Sequence, residues 1–141
     1  MHGSLATNLG LLTAVRDGAK GSAEVAVCVP YPYLAQARAV LDGGSVAWVA
    51  QDVSEHAQGA WTGEVSGAML ADFGCRYALV GHSERRSFFG DTDAVVAARL
   101  LGAHGSAHPA GLDVLDDRAG FGSEFDRAPT GRSSPVASEH V

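Results

Sequence analysis

The feature that most constrains the fold of this chain is a short apolar run that stops abruptly at a glycine. The run is Tyr77-Ala78-Leu79-Val80, and Gly81 is followed at once by the polar segment His82-Ser83-Glu84-Arg85-Arg86. A continuous apolar run of this length is typical of a strand buried on both faces of a parallel sheet. In α/β folds, residues just beyond the carboxyl ends of such strands carry the chemistry. The pattern therefore predicts a buried strand that delivers candidate functional residues.

Strand and helix patterns alternate along the chain. Short runs rich in β-branched residues predict strands at 24–29, 46–50 and 77–80. Helical spacing of apolar residues predicts helices from the N-cap Ser4 to Gly18, and at about 33–41, 66–73 and 92–101. The apolar stripes are Leu5, Leu9 and Leu12 in the first helix and Met69, Leu70 and Phe73 in the third. This alternation predicts βαβ units, a parallel sheet and right-handed crossovers.

Composition excludes several classes of protein. The net charge of −6 argues against nucleic-acid binding, which needs clustered Lys and Arg. Cys28 and Cys75 lie in apolar contexts, as free thiols do in a reducing compartment. The sequence shows no leader pattern and no apolar run long enough to span a bilayer. We therefore expect a cytoplasmic protein without nucleic-acid or membrane partners.

Four segments, in the same order, resemble the triosephosphate isomerases. Tyr77–Arg86 resembles the signature around the catalytic histidine of that family, and Met1–Leu5 resembles the segment after its first strand. Ala50–Ser54 resembles the end of its third strand, and Gly59–Ser66 its dimer-contact loop. Four ordered motifs are far more specific than one. Because a complete barrel needs about 250 residues, the resemblance implies an α/β fold that is a partial TIM (β/α)₈ barrel, with strands 2–4 and their flanking helices, followed by an irregular tail.

The resemblance implies an intramolecular aldose–ketose isomerase of glycolysis and gluconeogenesis. Its substrates would be dihydroxyacetone phosphate and glyceraldehyde 3-phosphate, interconverted through an enediol(ate) with no cofactor and no metal. His82 matches the family's electrophile, a neutral imidazole that polarises the carbonyl oxygen. Glu84 and Ser83 match supporting residues beside it. From the residues alone, His82 could equally be an ordinary loop histidine, and Glu84 a surface partner of a neighbouring arginine.

A second functional stretch is Trp61-Thr62-Gly63-Glu64. The resemblance implies that this loop, together with Gln51, contacts a second subunit in a homodimer of the full-length enzyme. A Gly-bounded polar loop is often a surface turn, yet an exposed Trp at its base favours a contact.

Several catalytic parts of the family have no counterpart in this sequence. The resemblance places an asparagine and a lysine before Met1, and the general base and the phosphate loops beyond Leu101. Without them we expect the chain, as written, to be inactive. The alternative function is that of a truncated remnant that acts only as an association module through the dimer-contact loop.

The character of the sequence changes after Leu101. Residues 102–141 are rich in Gly, Ser, Pro and Asp, and their large apolar residues follow no period. Such a composition favours disorder. We therefore predict a partial triosephosphate isomerase barrel over residues 1–101 and a divergent tail over 102–141 that is disordered or arises from a shifted reading frame. A real but divergent tail is the competing interpretation.

Overall fold

The computed structural model describes residues 2–104, 112–116 and 136–137. Its helices are α1 (Leu5–Gly18), α2 (Leu34–Leu41), α3 (Gly67–Asp72), α4 (Ser83–Phe88) and α5 (Asp93–His104), and a 3₁₀ turn, Tyr31–Tyr33, precedes α2. Its strands are β1 (Glu24–Val29), β2 (Val46–Ala50), β3 (Tyr77–Val80), β4 (Asp113–Asp116) and β5 (Val136–Ala137). Within these residues, no helix combines the length and the apolar character that a membrane crossing requires.

The strands form one parallel sheet in the order β4-β3-β2-β1-β5. Cys28 of β1 lies opposite Val49 of β2, and Val49 lies opposite Tyr77 of β3. Because all neighbours are parallel, the carboxyl ends of β1, β2 and β3 meet at one edge of the sheet. The predicted parallel α/β architecture is confirmed, and this edge is where the functional candidates lie.

The first three strands have the predicted bounds, and for β1 and β3 the residue that follows explains why the strand ends there. Pro30 follows β1 and has no N–H to continue the ladder, and Gly81 follows β3 with φ +72°, a conformation that favours glycine. The α1 helix begins where Ser4 predicts it: the Ser4 Oγ accepts the Thr7 N–H at 3.2 Å, and the Thr7 Oγ1 accepts the Ser4 N–H at 2.9 Å. This reciprocal pair is a capping box.

The core occupies both faces of the sheet. On the helix-covered face, Leu70, Val80 and Val96 belong to one buried cluster. On the opposite face, the buried residues of a second cluster are Val49, Tyr77, Leu79 and Leu115. A strand such as β3 contributes to both clusters because its successive side chains point to opposite faces.

The predicted apolar stripes of two helices are partly wrong. In α1 only Leu12 is buried, whereas Leu5 and Leu9 are exposed. In α3 Leu70 is fully buried, while Met69 and Phe73 are exposed. Because α3 has only six residues, it completes fewer than two turns and presents a narrow strip to the sheet.

The prediction of an irregular tail from residue 102 needs a correction. Helix α5 continues to His104, and β4 forms where no strand was expected, pairing with β3 along its whole length. Only Val114 and Leu115 are apolar in β4, between two aspartates, so its sequence signal is weak. The other residues of the tail, 105–111, 117–135 and 138–141, lie outside the described residues, as does their predicted disorder or frame shift.

Both cysteines are free thiols, as predicted. Burial raises the pKa of Cys75 to about 11, and that of Cys28 to about 11 as well. At neutral pH each sulfur is therefore protonated, and neither is suited to act as a nucleophile.

Candidate active site

His82 lies at the carboxyl edge of the sheet, between the end of β3 and the first turn of α4. Its Nδ1 accepts the backbone N–H of Glu84 at 3.1 Å. A ring nitrogen that accepts a hydrogen bond carries no proton, so this geometry assigns the proton of the neutral ring to Nε2. The side chain is half-buried. His82 is therefore arranged to present an Nε2–H donor at the edge of the sheet.

The peptide that precedes His82 is held by a charged side chain. The Nε of Arg86 donates to the carbonyl oxygen of Gly81 at 2.7 Å. The same guanidinium donates through its Nη1 atom to the Asp93 carboxylate, also at 2.7 Å. Charge-assisted hydrogen bonds are stronger than neutral ones, so the turn from Gly81 into α4 is fixed from the side of α5.

A network of four charged side chains lies beside this turn. We call Asp52, Arg85, Asp91 and Arg99 the ion quartet. Arg85 contacts Asp52 at 3.1 Å and Asp91 at 2.8 Å. Arg99 donates through its Nη1 atom to Asp52 and lies 3.7 Å from Asp91. Each carboxylate thus meets two guanidiniums, and the quartet joins the residues after β2 to α4 and α5.

The ion quartet is largely removed from solvent. The side chain of Asp91 is 4% exposed and that of Arg99 is 11% exposed. Burial raises the pKa of Asp52, against the opposing hydrogen bond and charge of Arg99. Burial lowers the pKa of Arg99, but the hydrogen bond to Asp52 and the charges of Asp52, Asp91 and Glu64 together outweigh it, and the net change is a rise. Because guanidinium stays charged, we assign an ionised carboxylate to Asp52 at neutral pH.

Residues 51–66, which we call the Trp61 loop, connect β2 to α3. The loop closes on itself, because the Ser54 N–H donates to the Val65 carbonyl oxygen at 2.9 Å. Within the loop the rings of His56 and Trp61 stack, with centroids 3.6 Å apart and planes 4° from parallel. This stack leaves His56 half-buried. Trp61 itself is 50% exposed, as predicted.

A model of the triosephosphate isomerase family matches residues 1–107, which is more than half of the chain. The chain belongs to the triosephosphate isomerase family. The triosephosphate isomerase of Thiobacillus denitrificans is 60% identical over 103 residues, and that of Bordetella pertussis is 54% identical over 104 residues. The crystal structure of triosephosphate isomerase from Bartonella henselae is similar with a TM-score of 0.73 and 33% sequence identity. The predicted family and the predicted partial TIM barrel are confirmed.

The coverage of these matches is unequal. The two sequence relatives cover 73% of this chain, which in turn covers 41% and 42% of them. The chain thus spans about two fifths of the length of these curated triosephosphate isomerases. The structural match covers 82% of this chain and 47% of the Bartonella protein. The domain boundary at residue 101 stays a prediction, although the family model runs past it.

The other residues predicted from the triosephosphate isomerase resemblance lie on two segments. Ser83 and Glu84 occupy the first turn of α4 next to His82, and both are exposed. In the Trp61 loop, Thr62, Gly63 and Glu64 are exposed. Gln51 is exposed at the start of the loop, and its Nε2 donates to the Cys28 carbonyl oxygen at 3.1 Å, tying the end of β2 to β1.

Sequence reasoning missed the ion quartet as a unit. Asp52 lies within the Ala50–Ser54 segment at the end of β2, and Asp91 and Arg99 belong to no motif identified in the sequence. The sequence does contain a signal for Arg99, which shares one helical face with Val96 and Ala103. All three are buried residues of α5. A charged residue on the buried face of a helix is rare unless it is paired. Within the described residues, no group of His, Cys, Asp and Glu could hold a metal ion.

Proposed function

We propose that this chain supplies the electrophile of an isomerase that interconverts dihydroxyacetone phosphate and glyceraldehyde 3-phosphate through an enediol(ate). The observation that carries the proposal is the hydrogen bond from the Glu84 N–H to the His82 Nδ1. It leaves Nε2–H as the donor at the carboxyl edge of the sheet, where parallel α/β folds carry out their chemistry.

The proposed role of His82 follows from where charge develops. When a proton leaves the carbon beside the carbonyl, negative charge accumulates on the carbonyl oxygen. A donor that is already in place stabilises this oxyanion more than it stabilises the ground-state carbonyl, and so lowers the barrier. We propose that Nε2–H of His82 is that donor, with Ser83 and Glu84 in supporting positions on the same turn. The general base and the phosphate-binding loops lie outside the segments that we assign.

A chimera tests this proposal. Residues 2–104 of this chain would replace the matching segment of the Thiobacillus denitrificans relative, which is 60% identical to it. We expect the purified chimera to convert dihydroxyacetone phosphate in a coupled NADH assay, and the present chain alone to show no turnover. Close identity makes the graft compatible with the recipient core.

The outcomes separate the candidate functions. A chimera that is folded by circular dichroism yet inactive would contradict the catalytic proposal. If that inactive chimera still self-associates, the association-module interpretation becomes the better one. Turnover by the present chain alone would instead overturn our expectation that its own residues are insufficient.

We also propose that the full-length protein is a homodimer with the Trp61 loop at the interface. The support is the half-exposed Trp61 side chain, held in place by its stack on His56. Exposed aromatic residues on ordered loops are the usual anchors of protein interfaces. Thr62, Gly63, Glu64 and Gln51 would then be contact residues around this anchor.

Substitution of the anchor tests the interface. In the chimera we expect Trp61→Ser to weaken dimerisation at least about thirtyfold in Kd, since loss of a buried Trp anchor costs at least about 2 kcal/mol. Sedimentation velocity over a concentration series measures the shift from dimer to monomer. Phe73→Ser, which removes another exposed aromatic residue outside the loop, is the control. Equal dimerisation of the Trp61 variant and the parent would refute the assignment.

We propose a cytoplasmic location for the protein. The support is the pair of free thiols, because thiols stay reduced in that compartment. Triose phosphates are small anions, so a protein that acts on them needs no membrane or nucleic-acid partner.

A further inference from the structure

Helix α4, which directly follows His82, makes little apolar contact with the rest of the protein. Helix α4 has six residues, and among the residues that the structure describes it buries none of its own. Phe88 and the following Phe89 are 79% and 70% exposed. An isolated helix of this length is not stable in water, because nucleation costs more than so few hydrogen bonds return. Another interaction must therefore keep the first turn of α4 in place.

The ion quartet supplies that interaction. Arg85 is the third residue of α4, and its side chain reaches both Asp52 and Asp91. Its own carbonyl oxygen accepts the N–H of Phe89 at 2.9 Å and that of Asp91 at 3.3 Å. Arg85 thus links α4 to Asp52, after β2, through its side chain. It links α4 to Asp91, before α5, through both its side chain and its backbone.

Asp52 and Asp91 are in turn both contacted by Arg99 of α5. The Nη1 atom of Arg99 donates to the Val53 carbonyl oxygen at 2.9 Å, as well as to the Asp52 carboxylate. Arg99 is buried on the face of α5 that packs against the core. The base of the Trp61 loop, the first turn of α4 and the middle of α5 are therefore joined through Asp52, Arg85 and Arg99.

We infer that the ion quartet is a positioning device for His82: it holds the first turn of α4 so that the Glu84 N–H stays bonded to Nδ1 and the ring proton stays on Nε2. The importance of that tautomer rests on the proposed isomerase function, but the positioning itself does not. Buried ion pairs contribute little net stability compared with apolar packing, yet they impose a specific geometry through directed hydrogen bonds. Such specificity is what a donor aimed at a reacting oxygen requires.

Asp91→Asn in the full chain tests the inference, with Asp17→Asn as the matched control. Both variants convert an aspartate that pairs with an arginine, but the Asp91 side chain is 4% exposed, whereas that of Asp17 is 63% exposed and pairs with Arg16 of α1, outside the ion quartet and the His82 turn. The readouts are the two imidazole nitrogen shifts of His82 in long-range ¹H–¹⁵N spectra and hydrogen exchange of the Glu84 amide. We expect Asp91→Asn to move the two nitrogen shifts towards each other and to speed Glu84 exchange about tenfold or more, with β2 and β3 amides unchanged.

Arg85→Lys is the second variant, in case Asp91→Asn loosens the whole fold. Lysine keeps the positive charge but cannot bridge two carboxylates with a planar fork, so the same local changes are expected at His82 and Glu84. Placed in the chimera, either variant should lower kcat with little change in KM, whereas Asp17→Asn should change neither. Unaltered His82 shifts and Glu84 exchange in both variants, or equal changes in Asp17→Asn, would overturn the inference. An inactive chimera with the expected spectra would refute the isomerase proposal and leave the positioning intact.

Discussion

Replacing His82 with asparagine in the chimera should lower kcat about 10²–10³-fold, the usual cost of removing one oxyanion donor. Asparagine is a favourable residue at the position before a helix, so α4 keeps a cap and the fold is preserved. Its amide is shorter than an imidazole and cannot place a donor where Nε2–H now lies. The loss therefore isolates the electrophile from the structural role of the side chain.

The two kinetic constants should respond differently. If Nε2–H contacts the oxygen mainly when it becomes negative, substrate binding changes little and KM stays within a few-fold of the parent value. The coupled assay over a range of substrate concentrations separates the two constants. His104→Asn is the matched control, because His104 is exposed at the end of α5 and its ring lies 2.7 Å from the Leu100 carbonyl oxygen. A His82 variant with kcat within tenfold of the parent would exclude this residue as the electrophile.

The backbone around His82 was predictable from sequence because local chemistry determines it. Tyr77–Val80 has no polar residue and ends at a glycine that adopts a positive φ, so both the strand and its end are determined within five residues. The strand and its end are determined by residues close together in the sequence, which is why one sequence is enough to predict them.

The side-chain network at the same site was not predictable in this way. Asp52 and Arg99 are separated by 47 positions, and nothing local to either one specifies the other as its partner. The exposure of Met69 and Phe73 has a similar origin, since which strip of α3 meets the sheet depends on tertiary packing. Strand β4 was missed because pairing with β3, rather than a strong pattern of its own, defines it.

Close backbone contact between α5 and the Trp61 loop leads to a prediction about stability. A Cβ atom added at Gly102 would lie 2.6 Å from the Glu55 carbonyl oxygen and 2.9 Å from its carbonyl carbon. These are backbone atoms of the Trp61 loop, held a few residues away by the Arg99 contact to Val53. We expect Gly102→Ala to lower the free energy of unfolding by about 1–3 kcal/mol, the usual cost of overpacking a tight contact.

The sign of this effect is what makes it informative, because glycine to alanine in a helix interior normally stabilises by roughly 0.5–1 kcal/mol. Gly10 in α1 is the matched control: in the part of the chain that the structure describes, an added Cβ there would meet no atom within 4 Å. Urea unfolding followed by circular dichroism should therefore move the midpoint down for Gly102→Ala and up for Gly10→Ala. A shift of both midpoints in the same direction would mean that α5 does not pack against the loop as closely as these distances require.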